Sequence, residues 1–271
     1  MAQILKMMEL STQVRLPYVE QGDQSGIPMI LLHGFLDSWQ SFAHVLPHLP
    51  HTIHAFALTQ RGHGVASRPV EGYSIIHFAE DLRAFMDAAN LPAAIIVGHS
   101  LGSAVAQRFA IDWPERTRGL VLVGASSHLA GSPETRKFWD PTVSKLTDPV
   151  DEALVRQMTE AMQVQPIPPE VLDTAVLEGI KVPAFVWREL FENRWRGQGE
   201  FSQELGHIQA PTLIVWGDQD ARYPRMDQET LVRAIPGAQF VAYNGAGHLL
   251  HWEEPERVAS DIVDFIEGIT N

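Results

Sequence analysis

Short apolar runs alternate with amphipathic stretches over most of this chain. The runs read as strands at Arg15 to Glu20, Pro28 to Leu32, Thr52 to Ala57, Ala94 to Val97, Leu120 to Val123, Thr212 to Trp216 and Gln239 to Ala242. Helical patterns lie near 38–47, 77–89, 101–112, 227–234 and 255–268. In the second of these helices Phe78, Leu82, Phe85 and Met86 recur at the spacing that gathers them on one buried face. Strand and helix in alternation predict an α/β fold, a mostly parallel, doubly wound sheet covered by helices on both faces.

The alternation stops after Val123. From about Ser127 to Gly206 the sequence turns to proline-interrupted helical stretches without a convincing strand, as an inserted helical cap would read. The expected division is a core domain of residues 1–126 and 207–271, with a cap (lid) over 127–206. Phe138, Trp139, Met158, Met162, Phe185, Trp187, Phe191 and Trp195 are too many large apolar side chains for a solvated linker. Most should pack cap helices together and onto the core. Trp139, Met158, Met162, Trp187 and Phe191, with Leu249 from the core, are the candidates to line an apolar pocket.

Gly98-His99-Ser100-Leu101-Gly102 follows the run Ala94-Ile95-Ile96-Val97 and opens a helical pattern. This G-x-S-x-G sequence suits a sharp strand-to-helix turn that lifts a serine hydroxyl out of the backbone, glycine being needed where a side chain would collide. Ser100 is the candidate nucleophile. A serine needs a base, and the base needs a carboxylate to hold its tautomer. His248, in Gly245-Ala246-Gly247-His248, and Asp220, after the strand Thr212 to Trp216, lie where loops at the carboxyl edge of an open α/β sheet would converge.

With these residues the chain resembles the α/β-hydrolase family, whose nucleophile, acid and histidine come in the order seen at Ser100, Asp220 and His248. His33-Gly34-Phe35 is similar to the family's first oxyanion element, and Arg61-Gly62-His63-Gly64 to its R-G-x-G turn. The resemblance implies an oxyanion hole formed by the backbone N–H groups of Phe35 and Leu101. Thr59-Gln60 departs from the aspartate that relatives commonly carry before that arginine, which puts a local turn contact in question. The family's G-x-x-D pattern selects Asp220 over Asp218, which is left as a turn or capping residue.

The resemblance implies acyl transfer through an acyl-enzyme, on a carboxylic ester or a lactone of small to medium apolar character, with no cofactor. Relatives resembling epoxide hydrolases place an aspartate where Ser100 stands. A carbon–carbon bond hydrolase, a cofactor-free perhydrolase and a ligand-binding receptor with a slow triad remain alternatives. Composition narrows the partners. A net charge of -13 disfavours nucleic acid or an anionic membrane as the main partner. No apolar run is long enough to span a bilayer, so a cytoplasmic protein without membrane insertion is expected, and a homodimer is left open. The chain has no cysteine, which excludes disulfides and thiolate metal sites. His44, His48, His51 and His54 are interrupted by Pro47 and Pro50 and read as surface or edge residues, so no metal site is expected. His251 is expected to pack or face solvent, and His33 and His99 to support the loops that carry them.

Overall fold

The computed structural model describes residues 3–128, 137 and 141–270. The apolar runs are buried at every position in β4 (Ile53–Leu58), β5 (Ala94–His99) and β7 (Thr212–Gly217), as strands covered on both faces must be. With β1 (Lys6–Glu9), β2 (Arg15–Gln21), β3 (Ile27–Leu32), β6 (Thr117–Val123) and β8 (Gln239–Tyr243) they form a sheet in the order β1-β2-β4-β3-β5-β6-β7-β8. β1 pairs with β2 and β2 with β4 antiparallel; every other pairing is parallel.

The pleat sends alternate residues into two cores. Ile30, Leu32, Ile96, Leu122 and Ile214 meet α1 (Ile75–Ala88) and α2 (Leu101–Asp112) through Phe78, Leu82, Phe85, Val105 and Phe109. Met29, Leu31, Val97, Val121 and Val215 meet the C-terminal helix α8 (Pro255–Thr270) through Val258, Ile262, Phe265 and Ile266. α6 (Arg225–Ala234) and the short α7 (Leu250–Glu253) lie in the loops after β7 and β8.

Between β6 and β7 the described residues contain no strand. They form α3 (Glu152–Glu160), α4 (Pro169–Gly179) and α5 (Ala184–Trp195), of which α3 begins under the side chain of Asp151, an acceptor for the Ala153 N–H at 2.8 Å.

Two expectations change. The helix read over 38–47 is a pair of 3₁₀ turns, Trp39–Phe42 and Leu46–His48, separated at Ala43 and with Pro47 inside the second, where a longer helix would lose its N–H. β1 was not predicted; its four residues are mostly exposed on a sheet edge and show no apolar alternation.

The register puts Leu32, Gly98 and Leu122 on neighbouring strands in line, with Leu122 opposite Ile214. The loops after β3, β5, β6, β7 and β8 therefore open at one edge of the sheet, where ligands of open α/β folds bind.

Candidate active site

Ser100 sits on the turn between β5 and α2 with φ 51° and ψ -112°, a conformation that costs a non-glycine residue. The turn is held by the Ser100 N–H on the Val123 carbonyl at 3.1 Å. Its glycines are required by contact rather than by flexibility. A Cβ on Gly98 would lie 2.2 Å from the Gly102 oxygen, and one on Gly102 would lie 2.1 Å from the Leu32 oxygen.

His248 Nδ1 donates to Asp220 Oδ2 at 2.8 Å, and both side chains are buried. Asp220 Oδ1 accepts the Arg222 N–H at 2.7 Å and the Tyr223 N–H at 2.9 Å. Burial pushes the Asp220 carboxyl up, but His248 and these two backbone donors outweigh it and hold the group below its usual value. The acid is thus ionised and fixed, and its bond to Nδ1 leaves Nε2 of His248 with a free lone pair. His248 and Ser100 line the same cavity. Asp218 instead accepts the Gly245 N–H at 2.7 Å, tying the loop after β7 to the loop before His248.

The loop after β3 is organised by His33. Its Nδ1 donates to the Gly34 carbonyl at 2.6 Å and its Nε2 accepts the Gln60 N–H at 2.9 Å. The Gln60 amide also donates to the His33 carbonyl at 2.8 Å, so the glutamine in place of the family's aspartate keeps the turn joined to this loop. Arg61 forms a buried bidentate pair with Asp81 on α1, with both contacts at 2.6 Å. His99 Nε2 donates to the His248 carbonyl at 3.0 Å, and His251 pairs with Ser41 Oγ at 2.9 Å. These histidines are buried and structural. His44, His48 and His51 are exposed, while His54 is buried against Glu20 at 2.7 Å, so the four do not gather. Among the described residues no cluster of three His, Asp or Glu side chains could hold a metal ion, and no helix is long and apolar enough to cross a membrane.

Phe35 and Leu101 line the cavity beside Ser100. Leu101 is the first residue of α2, whose opening N–H groups have no intrahelical acceptor, and the Phe35 N–H has no backbone acceptor among the described residues. The arrangement places free backbone donors and an ionised Asp220, hydrogen-bonded to His248, around the cavity that Ser100 lines.

The cavity measures about 340 Å³. Of the residues expected to line it, Met158, Met162, Phe191 and Leu249 do. Trp187 does not. It is fully buried beneath Phe35, 4.8 Å between ring centroids, with its indole N–H on the Val182 carbonyl, because α5 turns that face onto the core. Trp139 lies outside the described residues. Sequence reasoning missed Tyr223, Arg194 and Asp37, which also line the cavity. Asp37 follows the H-G-F element and Tyr223 follows Asp220 within a few residues, so proximity to each motif was the available signal; Arg194, on α5, had none.

The geometry defines a hydrolase-like site on an α/β scaffold. A sequence profile of the Alpha/beta hydrolase family matches residues 29–261, and the chain belongs to that family. Its curated relatives include Epoxide hydrolase 2 of Caenorhabditis elegans, 23% identical over 90% of this chain and 75% of that protein. Another is a 2-hydroxy-6-oxo-6-phenylhexa-2,4-dienoate hydrolase of Comamonas testosteroni, 27% identical over 69% of this chain and 68% of that protein. Among solved structures, a thermophilic esterase from Thermogutta terrifontis superposes with a TM-score of 0.87 at 22% identity, covering 99% of this chain and all of that one (100%). The enol-lactonase from Burkholderia xenovorans LB400 gives 0.80 at 20% identity, covering 97% and 100%.

Proposed function

We propose that this protein is a serine hydrolase that cleaves carboxylic esters or lactones of small to medium apolar substrates. The reading is carried by one observation: His248, held by Asp220 at 2.8 Å, borders the cavity into which the strained turn presents Ser100. His248 Nε2 takes the Ser100 proton as the hydroxyl oxygen attacks the carbonyl carbon, and Asp220 stabilises the imidazolium that forms. The N–H groups of Phe35 and Leu101 receive the developing oxyanion; losing one such donor costs roughly 10²- to 10³-fold in rate. The imidazolium returns its proton to the departing alcohol, leaving an acyl-enzyme, and His248 then activates water to release the acid. The helical segment 127–206 acts as the cap, its Met158, Met162 and Phe191 supplying the apolar wall. Ser100 separates this chemistry from that of aspartate-nucleophile relatives.

Initial hydrolysis rates across p-nitrophenyl esters of increasing acyl length and several lactones test the reading. Multiple turnover on these substrates is expected, with kcat lowered about 10⁴-fold or more in Ser100→Ala. Absence of Ser100-dependent turnover would overturn the ester and lactone reading in favour of carbon–carbon bond hydrolysis or ligand binding.

A further inference from the structure

One wall of the cavity beside Ser100 is cationic. Arg194, in the last turn of α5, stands there with Tyr223 and Arg222. Tyr223 is rigidly placed. Its N–H donates to Asp220 Oδ1 at 2.9 Å, its carbonyl accepts the Trp216 indole N–H at 2.9 Å, and its ring meets His248 edge-on with centroids 5.3 Å apart.

The Tyr223 hydroxyl oxygen accepts from Arg194 Nη1 at 3.5 Å, a long bond that leaves the guanidinium underused. Arg194 Nε is buried with no hydrogen-bond partner, and among the described residues no carboxylate lies within ion-pair distance of Arg194. A buried, unmade N–H on a charged group is costly unless a ligand completes it. The only carboxylate among the described lining residues is Asp37, which burial pushes up to about 7. Burial also pushes the Tyr223 phenol up. The charges of Arg194 and Arg222, with hydrogen bonds from Arg194 and Ser100, outweigh it and place the phenol below its usual value. Within a chain of net charge -13, this hollow is locally positive.

We propose that Arg194 and Tyr223 form an anion-binding subsite beside Ser100, so that the substrate carries a carboxylate within a few bonds of its scissile carbonyl. The planar guanidinium presents Nε–H and Nη–H in the fork that matches a carboxylate. Tyr223, accepting from Arg194, keeps its own O–H to donate to the same anion. The scissile-carbonyl part rests on the serine-hydrolase reading; the anion-binding part does not.

The first test compares kcat/KM for mono-p-nitrophenyl glutarate with that for p-nitrophenyl valerate, which has the same chain length without the charge. A parallel pair, 3-carboxyphenyl acetate and phenyl acetate, places the carboxylate on the alcohol side. One pair should show a preference for the anionic ester, and the anionic-to-neutral ratio should fall roughly tenfold or more in Arg194→Met and less in Arg194→Lys. A ratio near one in both pairs, or a ratio unchanged by Arg194→Met, overturns the subsite. If Arg194→Met does not fold, Arg194→Lys and Tyr223→Phe are read in the same way.

Calorimetric titration of Ser100→Ala with monomethyl glutarate separates the two readings. Binding that weakens roughly tenfold when Arg194→Met is added, and less when Arg194→Lys is added, supports the subsite even if no ester is turned over. No binding, or equal binding in both proteins, overturns it.

Discussion

At Asp220 both carboxylate oxygens are committed, one to two backbone N–H groups and the other to His248. Asparagine could keep the backbone bonds through its carbonyl, but its amide nitrogen would then face the His248 Nδ1–H, donor against donor. The imidazole would have to turn or change tautomer, so Asp220→Asn is expected to lower kcat about 10⁴-fold while leaving the unfolding midpoint nearly unchanged. Asp218→Asn keeps an acceptor for the Gly245 N–H and should leave kcat within a fewfold of the parent. Steady-state kinetics on one ester decide it: equal or reversed severity would move the acid role to Asp218. The residues of this set were legible because each sits beside a motif glycine or at the end of an apolar strand. Arg194 was not, since whether a residue of α5 faces solvent or the cavity depends on how that helix docks, which no local spacing records.

Among the elements, Glu253 links the helices between β6 and β7 to the loop carrying His248. Glu253, on α7, accepts the Val164 N–H at 2.6 Å and the Gln165 N–H at 3.2 Å through Oε1, and the Gly247 N–H at 2.7 Å through Oε2. The His248 N–H in turn donates to the Met162 carbonyl at 3.1 Å, so the turn after α3 and His248 are tied directly. Glu253→Ala removes acceptors from three backbone donors and should cost about 1–3 kcal/mol, read as a lower urea midpoint, with a fall in kcat from a looser His248. An unchanged midpoint would show that water replaces the carboxylate without loss. Strands with unbroken apolar runs and helices with a clear stripe were read from sequence to within a few residues, as α2 at Leu101–Asp112 shows. β1 and the 3₁₀ turns escaped because one lies on an exposed edge without apolar alternation and the others are shaped by Pro47 and local capping rather than periodicity.

For the whole molecule, the buried histidines set the response to acid. His33, His63, His99 and His251 have essentially no exposure and pack in pairs, His33 edge-on to His63 with centroids 5.0 Å apart and His99 tilted against His251 at 4.1 Å. Burial above all, reinforced by neighbouring positive charge, lowers them: His63 to about 4, His99 to about 3, and His33 and His251 well below the usual value. In the unfolded chain each titrates near 6.5. As pH falls below that, the unfolded state binds protons that the native state refuses, and each histidine can remove up to about 1.4 kcal/mol of stability per pH unit until its folded value is reached. Asp37 acts in the opposite direction. Raised to about 7, it holds a proton in the native state that the unfolded state releases above about pH 4, so it lowers stability as pH rises from there to 7. Four groups oppose two, Asp37 and His128, the latter raised by its hydrogen bond to Asp227, and the urea midpoint should drop between pH 7 and pH 5. Asp37→Asn retains an acceptor for the Ser38 N–H, removes one opposing contribution and should steepen that drop while raising stability at pH 8. A midpoint flat from pH 7 to pH 5 in the parent would mean that the unfolded chain gains no protons over the native one, and that the histidine rings are hydrated or charged in the folded protein.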